Sequence, residues 1–262
     1  MYIEVNDKKT FFSNGNGTLL PSQPSVVFIH GSAMDHTVWT LPVRYFARHK
    51  YNVYALDLPG HGRSDGAPLA SIESISNWVK SAMDTLEIPS AAIVGHSMGS
   101  LVGICFSAKH PERARCLALL GTSTPMPVTD QLLSAAEANG HDAIDMTNIW
   151  SHSDFGLTGG NSDPGRCMTM SGQRLLERSK DDVLFTDLNA CNTFGDAESY
   201  LAELKQPTLI ISGKQDKMTS PLKARTVADQ IGNARLIELD RCGHFMMTEQ
   251  PNAVLDALAT II

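Results

Sequence analysis

Basic charge and paired cysteine are both scarce in this sequence. Lys and Arg number 21 against 28 Asp and Glu, a formal net charge of −7, and no basic block occurs anywhere. Nucleic acid and anionic membrane surfaces are therefore not expected as partners. The five cysteines (Cys105, Cys116, Cys167, Cys191, Cys242) are odd in number and scattered, without a C-x-x-C pair. That argues against a disulfide framework and a thiolate metal site, and for reduced thiols in a cytoplasmic protein. The opening residues Met1-Tyr-Ile-Glu-Val-Asn-Asp-Lys-Lys mix charges and offer no apolar core, so no signal peptide is expected. A clean membrane span is missing too. Ile88 to Ala108 carries no Asp, Glu, Lys or Arg, but Pro89, Gly95, His96, Ser97, Gly99 and Gly103 interrupt it. Dinucleotide fingerprints, metal-spacing clusters, internal repeats and low-complexity tracts are likewise lacking, so neither a cofactor nor a metal is expected.

What is present suits a folded enzyme-sized chain. The 262 residues are 42% hydrophobic and 19% charged, outside the disordered class. At this length roughly 70–75% of the unfolded surface can be buried around one core. Val26–Ile29, Tyr51–Leu56, Ala91–Val94, Cys116–Leu120 and Thr208–Ser212 are apolar without alternation, as strands covered on both faces are. Arg235–Leu239 is more amphipathic and suits an edge, and Glu4-Val5 with Lys9–Phe12 predicts an N-terminal hairpin in the same sheet. Helical spacing recurs in Val38–His49, Ile72–Leu86, Met98–His110, Pro221–Gln230 and Ala253–Ile262. This alternation predicts an α/β fold, with a mostly parallel central sheet and helices on both faces.

The rhythm stops between about Gly121 and Leu204. A Pro-rich entry (Thr124-Pro-Met-Pro-Val), helical pieces near Gln131–Ala138 and Gln173–Lys180, and a Gly/Asn/Ser/Pro-rich stretch from Ser153 to Gly172 occupy it. So long a segment without a strand is too much for one crossover. Its apolar content (Ile144, Met146, Ile149, Trp150, Phe155, Met168, Met170) argues against disorder. The expectation is a helical cap at 121–204, inserted between the sixth and seventh core strands, with 1–120 and 205–262 forming the core domain.

Gly95-His96-Ser97-Met98-Gly99 follows the strand Ala91–Val94 and opens the helix from Met98. Strand, sharp turn and helix are the context of a G-x-S-x-G nucleophile elbow, in which side chains at 95 and 99 would clash with their neighbours. Ser97 is thus the candidate nucleophile, and a serine hydroxyl needs a base. Of nine histidines, His244 stands out in Arg241-Cys-Gly-His-Phe, in the loop after strand 235–239, where an α/β sheet presents its site. His96 is tied into the elbow, His49 and His110 end helices, and His141 and His152 fall in the cap. Asp216, after strand 208–212, is the candidate orienting acid, because the loop Gly121-Thr-Ser-Thr-Pro after the preceding strand has no carboxylate. Asp35 and His36 fall near the expected acyl pocket, where they either touch substrate or cap the next helix.

His30-Gly31 followed by Trp39, Asp57-Leu-Pro-Gly-His-Gly-Arg-Ser-Asp65, Gly95–Gly99, Gly213-x-x-Asp216 and Gly243-His244 together resemble the α/β-hydrolase superfamily over nearly the whole chain. The order Ser, Asp, His is the one expected there. The resemblance implies an oxyanion hole formed by the backbone N–H groups of Met98 and Ser32. It also implies a structural role for His30 and a turn-stabilising role for Asp57–Asp65. Haloalkane dehalogenases and related epoxide hydrolases resemble the fold but place an aspartate where Ser97 stands, which excludes both chemistries as the main activity. Many C–C bond hydrolases carry a Gly/Pro-rich segment after the first His-Gly, and Ser32-Ala-Met-Asp-His36 lacks it. The expected function is a carboxylesterase acting on small or medium acyl esters, with a small-molecule ester as its partner. Lactonase, serine-dependent C–C hydrolase and amidase activity, or a non-catalytic receptor on the same fold, remain alternatives.

Overall fold

The computed structural model describes residues 1–161 and 165–262. Residues 162–164 belong to the Gly/Asn/Ser/Pro-rich stretch singled out above and lie outside the described residues. Eight strands form one sheet: β1 Tyr2–Val5, β2 Lys8–Ser13, β3 Ser25–Ile29, β4 Asn52–Leu56, β5 Ala91–His96, β6 Ala114–Leu120, β7 Thr208–Gly213 and β8 Ala234–Leu239. Their order is β1-β2-β4-β3-β5-β6-β7-β8. The β1–β2 hairpin is antiparallel and joins β4 antiparallel through Phe12↔Leu56, and every later pairing is parallel. β8 is the far edge strand, which its half-buried residues reflect.

Both faces of the central strands are apolar, so alternation disappears from the sequence although it persists in space. Val27, Ile29, Ile93, Leu117, Leu119 and Ile210 face one core layer; Val26, Phe28, Ala92, Val94, Ala118, Leu120 and Leu209 face the other. The first layer is closed by α2 Ile72–Thr85, α3 Met98–Lys109 and α10 Pro221–Gln230; the second by α1 Thr40–Arg48 and, near the C-terminus, α12 Pro251–Leu258. A single 3-10 turn, His36–Trp39, leads into α1, where the sequence suggested one continuous helix from Val38. The predicted C-terminal helix starts at Pro251 and stops at Leu258, short of Ile262.

Between β6 and β7 lie α4 Asp130–Glu137, α5 His141–Ser151, α6 Asp154–Leu157, α7 Met168–Glu177, α8 Val183–Asn192 and α9 Ala197–Ala202. A short α11 Met246–Glu249 follows β8. The β6–β7 insertion is divided by its packing. Leu132, Ala136, Ala143 and Leu188 make a small cluster of their own, whereas Ala190, Cys191, Phe194, Ala197, Leu201 and Leu204 join the main core layer around α3. The expected limits of a cap at 121–204 therefore do not coincide with a packing boundary, because α8 spans both. Among the described residues no helix is long and apolar enough to cross a membrane.

Candidate active site

The turn between β5 and α3 carries Ser97 at φ 53°, ψ −119°, a backbone region that side chains seldom adopt. Two glycines permit it. A Cβ on Gly95 would lie 2.0 Å from the Gly99 carbonyl oxygen, and one on Gly99 would lie 2.3 Å from that of Ile29. The Ser97 N–H donates to Leu120 O at 2.9 Å, pinning the turn to the end of β6. Behind it, Leu101, Val102, Ile104, Cys105 and Phe106 of α3 are fully buried. At about 1.5–3 kcal/mol per large side chain, this packing outweighs the strain of one residue, about 1–3 kcal/mol. As the first residue of α3, Met98 has an amide with no helical carbonyl to bind, at the positive end of the helix dipole. Ser32 follows β3 and lines the same cavity as Ser97.

Asp216 and His244 meet, as their positions after β7 and β8 suggested. His244 Nδ1 lies 2.8 Å from Asp216 Oδ2 and both side chains are buried. Asp216 is saturated with donors: Met218 N–H and Thr219 N–H reach Oδ1 at 2.8 and 2.7 Å, and the Thr219 hydroxyl donates to Oδ2 at 2.7 Å. The carboxylate closes its own turn and does not cap α10, whose N-cap is Ser220. With Nδ1–H given to Asp216, the other ring nitrogen of His244 is left as the proton acceptor. His96 steadies His244 from behind, donating from Nε2 to its carbonyl at 2.9 Å, with the rings 4.7 Å apart. Burial, and then the neighbouring His244, push the His96 pKa well below the ordinary 6.5, so His96 is a neutral donor and not a base. Among the described residues the Ser97 hydroxyl makes no hydrogen bond to His244. Such bonds commonly tighten only when substrate is bound.

Ser97 opens into a partly enclosed cavity. Its walls come largely from the insertion: Met126, Val128, Leu132, Trp150, Leu188 and Cys191, joined by Met218, Thr219 and Lys217 from the loop after β7. Burial pushes the Cys191 thiol pKa up, away from reactivity. Among the described residues Lys217 is the one cation on these walls, and it pairs with Asp154 at 3.4 Å.

Asp35 and His36 are not brought to this cavity. Asp35 accepts from Thr37 N–H at 2.9 Å as N-cap of the 3-10 turn and pairs with Arg178 at 2.8 Å. His36 Nδ1 donates to Asp57 at 2.8 Å. Both line a separate depression with Arg63 and Arg178. Asp35 thus takes the capping role of the turn it starts, and His36, inside that turn, is directed to Asp57 and caps nothing. Polar atoms of Asp35, His36 and Asp57 lie within 4.8 Å of one another. Asp57 is nevertheless occupied by the His36 amide, the His36 ring and the Arg63 amide. Burial raises its pKa, the His36 hydrogen bond and charge lower it, and the net shift is downward.

Sequence reasoning missed three residues that hold the site. Thr219 sits beside the Asp216–His244 pair, 3.2 Å from Nδ1. Its signal was available, because an aspartate followed by free amides two and three residues on forms a local turn. Glu249 is buried and accepts from the Gly243 amide at 3.1 Å and from the Ser153 amide and hydroxyl. Asp187, on α8, is fully buried against His61 and the Ala33 amide. Nothing near Glu249 or Asp187 in the chain marks them.

Comparison with known proteins bears on the fold. A family model described as alpha/beta hydrolase fold matches residues 24–251. A 2-hydroxy-6-oxononadienedioate/2-hydroxy-6-oxononatrienedioate hydrolase of Cupriavidus pinatubonensis is 28% identical, over 96% of this chain and 91% of its own. A pimeloyl-[acyl-carrier protein] methyl ester esterase of Nitrosomonas europaea is 26% identical, over 94% of this chain and 97% of its own. In structure, the enol-lactonase from Burkholderia xenovorans LB400 superposes with a TM-score of 0.87 at 22% identity, covering 100% of this chain and 99% of that one.

Proposed function

The chain belongs to the alpha/beta hydrolase fold family, and on that premise we propose that it is a serine hydrolase cleaving carboxylic esters of small to medium acyl chains. In this reading His244 removes the Ser97 proton and the Ser97 oxygen attacks the ester carbonyl. The amides of Ser32 and Met98 stabilise the tetrahedral oxyanion. Protonated His244 then gives its proton to the leaving alcohol, and a water activated by the same nitrogen releases the acid. Asp216 holds the imidazole tautomer and offsets its charge.

The observation that carries the ester reading is the lining of the cavity. Met126, Val128, Leu132, Trp150 and Leu188 offer apolar surface for an acyl chain, and the sole cation among the described lining residues, Lys217, already has a partner in Asp154. A dienedioate, the substrate named for the Cupriavidus relative, carries two carboxylates whose burial calls for more positive charge than that. The full-length similarity to a methyl ester esterase supports the same choice. The similarity to the dienedioate hydrolase supports C–C bond hydrolysis as a second reading, which the test separates.

The test sets a series of p-nitrophenyl esters of increasing acyl length beside a 2-hydroxy-6-oxo-dienoate. Ester turnover with a burst of p-nitrophenol is expected, and Ser97→Ala should lower kcat by at least about 10⁴-fold. Faster turnover of the dienoate would move the assignment to C–C hydrolysis. Tight binding without turnover would make the protein a receptor. An unimpaired Ser97→Ala would remove Ser97 from the chemistry.

A further inference from the structure

Asp187 is a fully buried carboxylate on α8 and serves the loop after β3 rather than its own helix. Its Oδ2 accepts from the Ala33 N–H at 2.8 Å, across 154 residues of chain, and meets His61 Nε2 at 2.8 Å. The other ring nitrogen of His61, Nδ1, lies 2.9 Å from the Pro59 carbonyl oxygen. A carbonyl only accepts, so Nδ1 must carry a proton. The short Nε2–Oδ2 contact then needs a second proton between them, because two lone pairs would repel. His61 and Asp187 therefore share a proton in a site closed to water.

Ala33 follows Ser32, whose amide is assigned above to the oxyanion, and this inference rests on that reading. Ala33 stands at φ 55°, the left-handed region that a Cβ disfavours. Three bonds hold the loop there: Met34 N–H and His30 Nδ1–H to Gly31 O at 3.2 and 2.9 Å, and Ala33 N–H to Asp187. If the Asp187 bond is lost, the Ser32–Ala33 peptide is free to swing and strains the neighbouring Gly31–Ser32 peptide, whose N–H is the oxyanion donor and whose carbonyl the other two bonds hold. Asp187 Oδ1 is buried without a partner among the described residues.

We propose that Asp187 is a positioning residue for the oxyanion hole: with the proton it shares with His61, it locks the loop so that the Ser32 amide faces the reacting carbonyl. The β6–β7 insertion thus completes the hole by reaching across the cavity, in addition to shaping the space for the acyl group.

The test compares wild type with Asp187→Asn, Asp187→Ala, His61→Ala and Asp187→Ala/His61→Ala, on p-nitrophenyl butyrate and with a phenylboronic acid as tetrahedral probe. Asp187→Ala should lower kcat about 100-fold, the order expected for a misplaced donor. KM should stay within about twofold, and boronate affinity should fall in parallel with kcat. The double variant should be no worse than the single ones, because the pair acts as a unit. Arg178→Ala removes a different contact between the insertion and this loop, the Asp35 ion pair, and should leave kcat unchanged. Should Asp187→Ala fail to fold, Asp187→Asn, which keeps the volume, carries the comparison. A folded variant with wild-type kcat and boronate affinity overturns the proposal, as does an equal loss in Arg178→Ala. If wild type hydrolyses no ester, the reading of Ser97 as an esterase nucleophile falls separately. The amide resonances of Ser32 and Ala33 then decide this proposal, which requires both to move in Asp187→Asn and is overturned if neither does.

Discussion

The His30 and His61 rings lie 4.8 Å apart, tilted by 51°, yet their surroundings drive their protons in opposite directions. Burial, and then the charge of His61, bring the His30 pKa down to about 4. Its Nδ1–H donates to Gly31 O and its Nε2 accepts the Leu58 amide, as a neutral ring must. Burial pulls His61 down as well, but the charge and hydrogen bond of Asp187 outweigh it and the net shift is upward. Asp57, Asp187 and His30 are the titratable groups facing it. The raised value of His61 contributes stability that is complete below its ordinary 6.5 and lost as pH climbs through the folded pKa. The lowered value of His30 contributes stability present above 6.5 and lost as pH falls toward about 4. Thermal midpoints measured from pH 6 to pH 9 should therefore decline on the alkaline side, and Asp187→Asn should flatten that decline. A wild-type midpoint that rises steadily across the range would contradict the shared proton. The places of Ser97, Asp216 and His244 in the fold were legible from the sequence because each sits in a local pattern: glycines around a turn, or a loop just past an apolar strand. His61 was read only as part of a turn, because its partner is 126 residues away and nothing local encodes a pairing at that distance.

Single elements in this protein serve several neighbours at once. α8 gives Asp187 to the loop after β3, Leu188 to the insertion's own cluster, and Ala190 and Cys191 to the main core. α11 ends in Glu249, whose carboxylate joins the Gly243 amide, next to His244, to Ser153 at the start of α6. Glu249→Gln would replace one acceptor oxygen with an NH2 group facing those donors. A loss of about 2–3 kcal/mol is expected, the range for hydrogen bonds to a buried charge, read as a lower urea midpoint at unchanged slope. An unchanged midpoint would mean that the glutamate is dispensable to the His244 loop. The sequence anticipated α4 within one residue and displaced α7, which runs over Met168–Glu177 where Gln173–Lys180 was expected. The apolar residues used to infer an ordered insertion were an uneven guide. Met168 is buried, but Ile149 is 50% exposed and Met170 45%. Short helices turn over within a few residues, so a helical period has little room to declare which face is inside.

For the whole molecule, the parallel sheet was legible because strands covered on both faces leave unbroken apolar runs. How far the insertion is fused to the core was not, since Phe194, Ala197 and Leu201 carry no mark of which cluster they join. That fusion predicts cooperative unfolding. In a Trp39→Phe/Trp78→Phe background, urea unfolding followed by Trp150 fluorescence and by far-ultraviolet circular dichroism should give one midpoint. An earlier fluorescence transition would show the insertion detaching first. The two strands that bracket it are hydrogen-bonded neighbours, Leu120 opposite Ile211, so the long excursion from Gly121 to Pro207 leaves and returns at adjacent points of the sheet. Chain-closure entropy grows only with the logarithm of length. Relative to a crossover of roughly ten residues, this excursion is about three doublings, or about 2 kcal/mol. A lineage could therefore lengthen, shorten or exchange the segment that walls the Ser97 cavity at small cost to the scaffold that holds Ser97. The harder constraint on such change is local: any replacement must still present a carboxylate where Asp187 now stands.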